Sequence, residues 1–228
     1  MPFNVGGFIY TGGVADPQDY LSIVSRGLIL HLDASAPSSY PGSGNTWFDL
    51  SPTANNGAFI NGPTFNSGNG GYINFDGTND YIDLASIPSI TTDATFCAWV
   101  NGASLSGDRA IMSIKDVLIQ LAPDGIVYWF DVDTNNLLFS GVYSVDTWYY
   151  IVISQSGTSI SAYRNGAFVQ TQTGGNIGSS YGNDQIGSYF GTGRYWYGRM
   201  GSVQIYNRAL AAAEILQNFN VQRSRFGI

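Results

Sequence analysis

Short stretches in which apolar and polar residues alternate recur along most of the chain. The clearest are residues 28–33, 72–75 and 81–84. Because successive side chains of a strand point to opposite faces, this period predicts β-strands with one buried face. Further strands are predicted at residues 47–50, 95–100, 110–114, 117–121, 126–130, 137–142, 148–154, 159–164, 167–171, 185–187 and 196–206.

Turn-forming residues separate these stretches. Asn165-Gly166 lies between two predicted strands and is the strongest hairpin signal, because its turn needs φ > 0 at both central positions. Residues 76–79, Asp-Gly-Thr-Asn, predict a second tight hairpin that would pair residues 72–75 with residues 81–84. Many short strands joined in this way, without a fixed-period repeat, predict an all-β antiparallel sandwich.

Short helices are predicted at both ends of the sandwich. Asp16-Pro17 supplies an N-cap and a first-turn proline, and Gly27 supplies a stop. Residues 211–219 combine helix-forming residues with a helical apolar period. We therefore divide the chain into an N-terminal arm with a short helix, residues 1–26, and one β domain, residues 27–228. The alternative for the arm is a disordered leader.

The amino-acid composition and net charge restrict the classes of molecule that the chain is expected to bind. Only 11% of the residues are charged, and the net charge is −7, which argues against nucleic acid and against an anionic membrane as partners. No stretch is long and apolar enough to span a bilayer, and the N-terminus lacks the features of a secretory signal, so we expect synthesis in a cytoplasm. The single cysteine, Cys97, excludes an internal disulfide, and its apolar surroundings predict a buried, inert thiol.

Residues for acid–base or nucleophilic catalysis are scarce. The chain has one glutamate, Glu214, and one histidine, His31, and neither lies in a catalytic motif. His31 is expected to be a solvated or cross-strand residue; the alternative, a metal ligand, would need further ligands. Asp131 and Asp133 share a strand face, but they run into a polar turn and are expected to be solvated. We therefore expect a protein that is not an enzyme.

Several segments, taken together and in this order, resemble the laminin-G-like, concanavalin A-like jelly-roll family. They cover roughly residues 27–216, and they are Gly27–Ala34, Trp47–Ser51, Asn55–Gly57, Phe75–Tyr81, Thr95–Val100, Trp148-Tyr149, Tyr163–Gly166, Ile205–Leu210 and Glu214-Ile215. The resemblance implies a lectin-like jelly roll. It implies little about function, since this fold carries adhesins, glycan-binding modules, enzymes and structural parts.

The loop Ser39–Gly44 is similar to jelly rolls in tailed-phage virion proteins. The resemblance implies a non-enzymatic virion protein: a head decoration, neck or tail-fibre component that serves particle assembly, stability or host attachment. Such a protein would lie in the extracellular particle, contact other virion proteins through residues 1–26 and form a homo-oligomer. The alternative is a glycan-binding module, an adhesin that recognises cell-surface polysaccharide.

The resemblance also implies a structural calcium ion near the Phe-Asp-Gly turn, with Asp76, Asn79 and Asp80 as candidate ligands. The family usually adds acidic residues in the last long strand, where this chain has Arg199–Ser202 instead. Since calcium needs about six to eight oxygen ligands, a plain hydrogen-bonded turn remains the alternative. No other cofactor is expected.

Aromatic and planar polar residues that suit a glycan or protein interface lie in the Gly-rich stretch 178–198. The candidates are Tyr181, Tyr189, Phe190, Arg194, Tyr195 and Tyr197. Aromatic rings present an apolar face and, in tyrosine, a polar tip, as a sugar ring requires. The alternative is that these tyrosines belong to the core or to a protein interface.

Overall fold

The computed structural model describes residues 22–84, 87–88, 90, 92–123, 127–130, 136–139, 143–174, 177 and 184–228; in residues 127–130 and 136–139 it describes the backbone alone. In chain order the strands in these ranges are β1 (Leu28–Asp33), β2 (Thr46–Trp47), β3 (Gly57–Ile60), β4 (Thr64–Asn66), β5 (Tyr72–Asp76), β6 (Tyr81–Leu84), β7 (Ala94–Gly102), β8 (Arg109–Ile114), β9 (Val117–Leu121), β10 (Val127–Phe130), β11 (Asn136–Phe139), β12 (Trp148–Ser156), β13 (Ser159–Arg164), β14 (Ala167–Thr173), β15 (Gln185–Ile186) and β16 (Tyr197–Tyr206). The helix α1 (Ala212–Gln222) follows, and 3₁₀ turns cover Gly68–Gly70 and Arg223–Phe226.

These strands form two antiparallel sheets. Sheet 1 has the order β14-β13-β12-β7-β16-β5-β4, with β1 also paired to β16. Sheet 2 has the order β11-β10-β9-β8-β15-β6-β3-β2. The predicted all-β sandwich with a short C-terminal helix is confirmed.

The predicted hairpin across residues 76–79 is wrong. β5 pairs with β4 and β16 in sheet 1, whereas β6 pairs with β3 and β15 in sheet 2. The turn therefore carries the chain from one sheet to the other, and the buried side chains of Phe75 and Ile82 enter the same core from opposite sides. Alternation reports which face of a strand is buried, and it does not report which strand lies beside it.

The main core lies between the two sheets. Its members are mostly large aliphatic and aromatic side chains from the inner faces, and Trp47, Ile73, Phe96, Ile153 and Trp196 are among them. The predicted hairpin at Asn165-Gly166 is confirmed: it joins β13 to β14, and both turn residues have positive φ, 52° and 76°.

A second cluster covers the outer face of sheet 1. Trp99 of β7 stacks on Phe226 and Phe219, with ring centroids 4.2 Å and 5.6 Å away. Cys97 lies fully buried in this cluster, as expected, and its burial raises the pKa of the thiol to about 12. A thiol with so high a pKa stays protonated, so it is a poor nucleophile.

One buried charge pair fixes the end of the chain on this face. The Arg225 guanidinium donates to Asp33 Oδ1 at 2.7 Å and to the carbonyl oxygen of Gly71 at 2.9 Å. It also donates to the carbonyl oxygens of Asn69 and Gly201. These bonds tie the C-terminal 3₁₀ turn to β1, β16 and the loop that precedes β5.

Most of the proposed N-terminal arm lies outside the described residues, and so does most of its predicted helix. Residues 22–26 are not helical. They run beside α1, where the Asn218 amide accepts from Val24 N at 2.8 Å and Gln217 Nε2 donates to the carbonyl oxygen of Ser22 at 2.9 Å. Side-chain hydrogen bonds from the helix thus hold this segment in an extended path.

Candidate functional site

The candidate site forms where the chain passes from sheet 2 to sheet 1. The carbonyl oxygen of Arg194 still accepts from Ala110 N in β8 at 2.7 Å. Two residues later the side chain of Trp196 is fully buried in the core, and from Tyr197 onwards the chain pairs in sheet 1. The residues around Trp196 therefore reach the surface at the edge between the two sheets.

A loop of residues 187–196 folds over the outer face of sheet 2. Its turn is closed by hydrogen bonds from Tyr189 N to the Gly193 carbonyl oxygen at 2.8 Å and from Thr192 N to the Tyr189 carbonyl oxygen at 2.9 Å. Beneath it lie the polar side chains of Ser113, Gln120 and Gln185, which together with Ser188 of the loop itself are at most 2% exposed. These groups bond one another and the loop, so the loop rests on a satisfied polar layer.

Tyr189 and Arg194 form the outer surface of this loop. The Arg194 guanidinium lies over the Tyr189 ring, 4.9 Å from its centroid, and Nη1 donates to Gln120 Oε1 at 2.5 Å. Phe190 packs on Tyr189 with a centroid separation of 4.9 Å. Tyr189 is 38% exposed, so one aromatic face with an adjacent planar cation is presented to solvent.

Tyr195 lies on the other side of the loop, next to Tyr81 of β6. Their rings are stacked, with centroids 6.5 Å apart and an interplanar angle of 28°. Tyr195 Oη donates to the Gly191 carbonyl oxygen at 2.9 Å, which fixes the ring. Partial burial and the nearby Asp83 raise the pKa of Tyr81, so the Tyr81 hydroxyl remains a neutral hydrogen-bonding group.

Arg109, the first residue of β8, joins the loops of this edge. Its Nη1 donates to the Tyr195 carbonyl oxygen at 2.9 Å and to the Gly77 carbonyl oxygen at 3.2 Å, and Nε donates to the Ser106 carbonyl oxygen at 3.1 Å. One guanidinium with several donors in a fixed plane thus holds three loops in register.

The structure brings together only part of the predicted set. Tyr189, Phe190, Arg194 and Tyr195 share the loop on sheet 2, while Tyr197 lies beyond the crossing and packs against Gly77. Tyr181 lies outside the described residues. Sequence reasoning missed Tyr81 and Arg109, because their contacts with Tyr195 connect residues far apart in the chain.

The predicted calcium ligands lie in the turn between β5 and β6. Asp76 Oδ1 accepts from Thr78 N at 2.8 Å and from Asn79 N at 3.4 Å, and Asp80 Oδ2 accepts from Asp76 N at 3.0 Å. Burial of Asp80 raises the pKa of its carboxyl group. These bonds describe the hydrogen-bonded turn that was the alternative, and the calcium ion stays a prediction. The described residues contain no group of three or more His, Cys, Asp or Glu residues arranged to hold a metal.

The single glutamate has a structural role. Glu214 forms a two-pronged ion pair with Arg208, with contacts of 2.6 Å and 2.7 Å, and accepts from Ala211 N at the start of α1 at 2.9 Å. The Arg208 guanidinium lowers the pKa of this carboxyl group, so Glu214 is a poor general acid. Asp131 and Asp133 lie outside the described residues.

His31 lies on β1 between charged groups. Its Nε2 is buried, has no hydrogen-bond partner in the part of the chain that the structure describes, and is 4.0 Å from Asp33 Oδ2. Burial lowers its pKa, and Arg225 lowers it further, against the opposing effect of Asp33 and Asp49. His31 is therefore a cross-strand residue, opposite Gln204 of β16, as one of the two expectations had it, and it is largely shielded from solvent.

Protein stability is expected to fall as the pH drops below about 6.5, the ordinary pKa of histidine. Since His31 binds a proton less readily when folded, protonation favours the unfolded state between that pH and the lower folded pKa. Urea denaturation at pH 7.5 and 5.5 should show this loss, and His31→Gln should reduce it. An equal loss in His31→Gln would assign the pH dependence to the carboxylates instead. The single histidine makes the folded pKa directly measurable by NMR.

No helix among the described residues is long and apolar enough to cross a membrane.

Comparison with known families gives one match. A family model described as the concanavalin A-like lectin/glucanases superfamily matches residues 76–216. This range includes the turn between β5 and β6, the loop of residues 187–196 and β16. No curated protein sequence matches the chain significantly.

Several solved structures have the same architecture, among them two toxin binding domains and a sialidase. The binding domain of Paraclostridial Mosquitocidal Protein 1 has a TM-score of 0.67 at 17% identity, over 85% of this chain and 52% of that one. The receptor-binding domain of botulinum neurotoxin type G has a TM-score of 0.66 at 16% identity, over 86% and 51%. Trypanosoma rangeli sialidase has 0.64 at 15%, over 87% and 33%. The chain thus spans about half or a third of their lengths, and the likeness shows the fold alone.

Proposed function

The chain belongs to the concanavalin A-like lectin/glucanases superfamily, and from this premise we propose that it is a non-catalytic module that binds a cell-surface polysaccharide. Its saccharide site would be the edge surface formed by Tyr81, Tyr189, Arg194 and Tyr195. The members of this fold differ in function, so the proposal rests on the chemistry of this edge.

The observation that carries the proposal is the held aromatic pair, Tyr81 with Tyr195. A sugar ring has an apolar C–H face that packs on an aromatic ring and hydroxyl groups that need polar partners at the rim. The pair supplies two aromatic rings and their hydroxyl groups. Arg109 holds the loop that carries Tyr195 against the neighbouring turn, so little ordering is needed when a ligand binds.

Charge around the edge favours a neutral polysaccharide. Asp76 is exposed in the adjacent turn, Asp83 is half-buried beside Tyr81, and Asp108 lies 3.8 Å from Arg194. The chain as a whole carries a net charge of −7. A polyanionic ligand would be repelled by this field, whereas a neutral one would not.

Two of the similar solved structures are themselves binding domains, from a mosquitocidal protein and from a botulinum neurotoxin, and this supports a recognition role. A place in a phage particle, with attachment through residues 1–26 and homo-oligomerisation, stays a prediction from the resemblance.

Tyr195→Ala is expected to weaken polysaccharide binding by about 5- to 150-fold, since one well-packed aromatic contact contributes roughly 1–3 kcal/mol. The probe is a glycan array of neutral and acidic bacterial polysaccharides, followed by calorimetry on the tightest binder. Phe168→Ala is the matched control, because Phe168 is 58% exposed on β14, away from the edge. Its affinity should equal that of the unaltered protein.

Two outcomes would overturn the proposal. One is the absence of binding to every polysaccharide on the array by the full chain. The other is undiminished affinity in Tyr195→Ala. A preference for acidic polysaccharides would contradict the charge argument while leaving the site in place.

A further inference from the structure

The turn between β5 and β6 has a tyrosine on each side, half-buried Tyr195 and exposed Tyr197. Tyr195 lies towards sheet 2, beside Tyr81, and Tyr197 lies towards sheet 1. The buried residues Gly198 and Met200 alternate with Tyr197 and Arg199 along β16, so the latter two point to the outer face of sheet 1. Tyr197 is 42% exposed, and its ring packs over Gly77 in the turn.

Polar side chains accompany Tyr197 on this outer face. Arg199 lies opposite Asn74 of β5 and opposite Asn101 of β7. The Arg199 guanidinium lies 5.6 Å from the centroid of the Tyr72 ring and 3.7 Å from Asp146. Both members of that ion pair are at least a third exposed, so water screens it and it holds Arg199 weakly.

One buried polar atom on this face is unsatisfied. Asn101 is 2% exposed, and its Oδ1 has no hydrogen-bond partner among the described residues. It lies between Trp148 and Arg199 in the strand register. A buried acceptor without a donor costs roughly 1–3 kcal/mol, and a hydroxyl group brought in by a ligand would satisfy it once Arg199 moves aside.

We propose that the outer face around Tyr197, with Asn74, Asn101 and Arg199, is a second sugar subsite. A neutral polysaccharide would lie across the turn 76–80, with one unit on Tyr195 and Tyr81 and a later unit on Tyr197. This inference rests on the proposed function and adds to it: the ligand is an internal stretch of chain with at least two contacted units, and a single terminal sugar fills only half of the site.

Proximity supports one continuous ligand. Tyr195 and Tyr197 are two residues apart, which is about 7 Å in extended chain. Gly77 of the turn lies against Tyr197, where an added side chain would meet the Tyr197 Cβ at 2.6 Å. Because this position has no side chain, nothing protrudes from the turn here to obstruct a ligand. Thr78 and Asn79 are exposed beside it and offer hydroxyl and amide groups to the sugar units that bridge the two rings.

The experiment measures affinity against ligand length. Fragments of the tightest-binding neutral polysaccharide, from one to six sugar units, are titrated by calorimetry into the full chain. In the unaltered protein the affinity should rise at least about tenfold from the shortest to the longest fragment, the gain from a second aromatic contact. In Tyr197→Ala this gain should disappear while short fragments bind as before.

Controls separate the two proposals. Tyr197→Phe keeps the ring and should keep the length dependence, and Phe168→Ala should match the unaltered protein. If Tyr197→Ala gains affinity with length as the unaltered protein does, the second subsite is wrong and the first site stands. If no fragment binds at any length and the polysaccharide does not bind either, the proposed function itself fails. Thermal unfolding of each variant verifies that it is folded.

Discussion

Arg225→Ala is expected to lower the free energy of unfolding by about 3–5 kcal/mol. Arg225 pairs with Asp33 at 2.7 Å, and the two side chains are only 16% and 12% exposed. Removal of the cation leaves a buried carboxylate that has lost its charge partner, which is the expensive way to break such a pair. Urea denaturation, with the change in midpoint read at constant slope, measures the loss.

Two further consequences of Arg225→Ala follow from the contacts of Arg225 and of its neighbour Phe226. Arg225 also caps the carbonyl oxygens of Asn69, Gly71 and Gly201, so these acceptors lose their donor together. Phe226 should loosen from Trp99, which a change in tryptophan fluorescence would report.

Arg223→Ala is the matched control, two residues away. Arg223 is exposed, and its guanidinium lies 5.7 Å from the centroid of the Phe219 ring. An exposed cation–π contact contributes only about 0.5–1 kcal/mol. If the two alanine variants lose equal stability, the charge pair with Asp33 does not hold the C-terminal turn in place.

Gly198→Ala is expected to lower the free energy of unfolding by about 2–6 kcal/mol and to disturb the second subsite around Tyr197. Gly198 has φ of 139°, and an added Cβ would lie 2.2 Å from the carbonyl oxygen of Asn101 and 2.9 Å from Ala103 N. Backbone conformations that side chains rarely adopt cost about 1–3 kcal/mol, and overpacking adds about 1–3 kcal/mol. Since the obstructing atoms are backbone, the strand pair β7–β16 must shift.

Gly193→Ala separates the conformational cost of the added side chain from the cost of the clash. Gly193 has φ of 156°, but an added Cβ there has nothing within 4 Å. It should show a conformational cost without the clash, and so lose less stability than Gly198→Ala. Equal losses would mean that β7 and β16 yield easily at Gly198. The same variants, titrated with long and short oligosaccharides, show whether the strand shift reaches Tyr197.

The two predicted turns had different outcomes, because the local sequence specifies a turn but not the sheet to which the next strand belongs. Asn165-Gly166 leaves two residues between β13 and β14, and a chain that short can only return to the adjacent position in the same sheet. Residues 77–80 leave four residues between β5 and β6, enough to cross the roughly 10 Å between packed sheets. Both turns have the same kind of residues, so composition predicted each turn but not the sheet of its second strand.

The candidate site likewise has residues that the sequence predicted and residues that it did not. The Gly-rich surroundings of residues 189–197 predicted an aromatic interface, with the core as the alternative, and four of the six predicted residues do share one loop. Their partners were not identifiable: Tyr81 and Arg109 are separated from Tyr195 by more than 80 residues in the chain. Contacts of such separation depend on how the sheets stack, and no local pattern encodes that.

By itself, the sequence determined most of the strands, the all-β class and the family, because alternation and turn chemistry act over a few residues. It predicted neither β3 nor β4, and it did not predict that β7 and β9 are buried at every residue. The tertiary structure alone decided that β5 and β6 belong to opposite sheets and that Tyr195 and Tyr197 lie on opposite sides of one turn. It also decided that Arg225, at the far end of the chain, neutralises Asp33. The physical reason is that strand order and sheet packing are settled by the sum of many distant contacts, each of which gains its strength only when the core has closed.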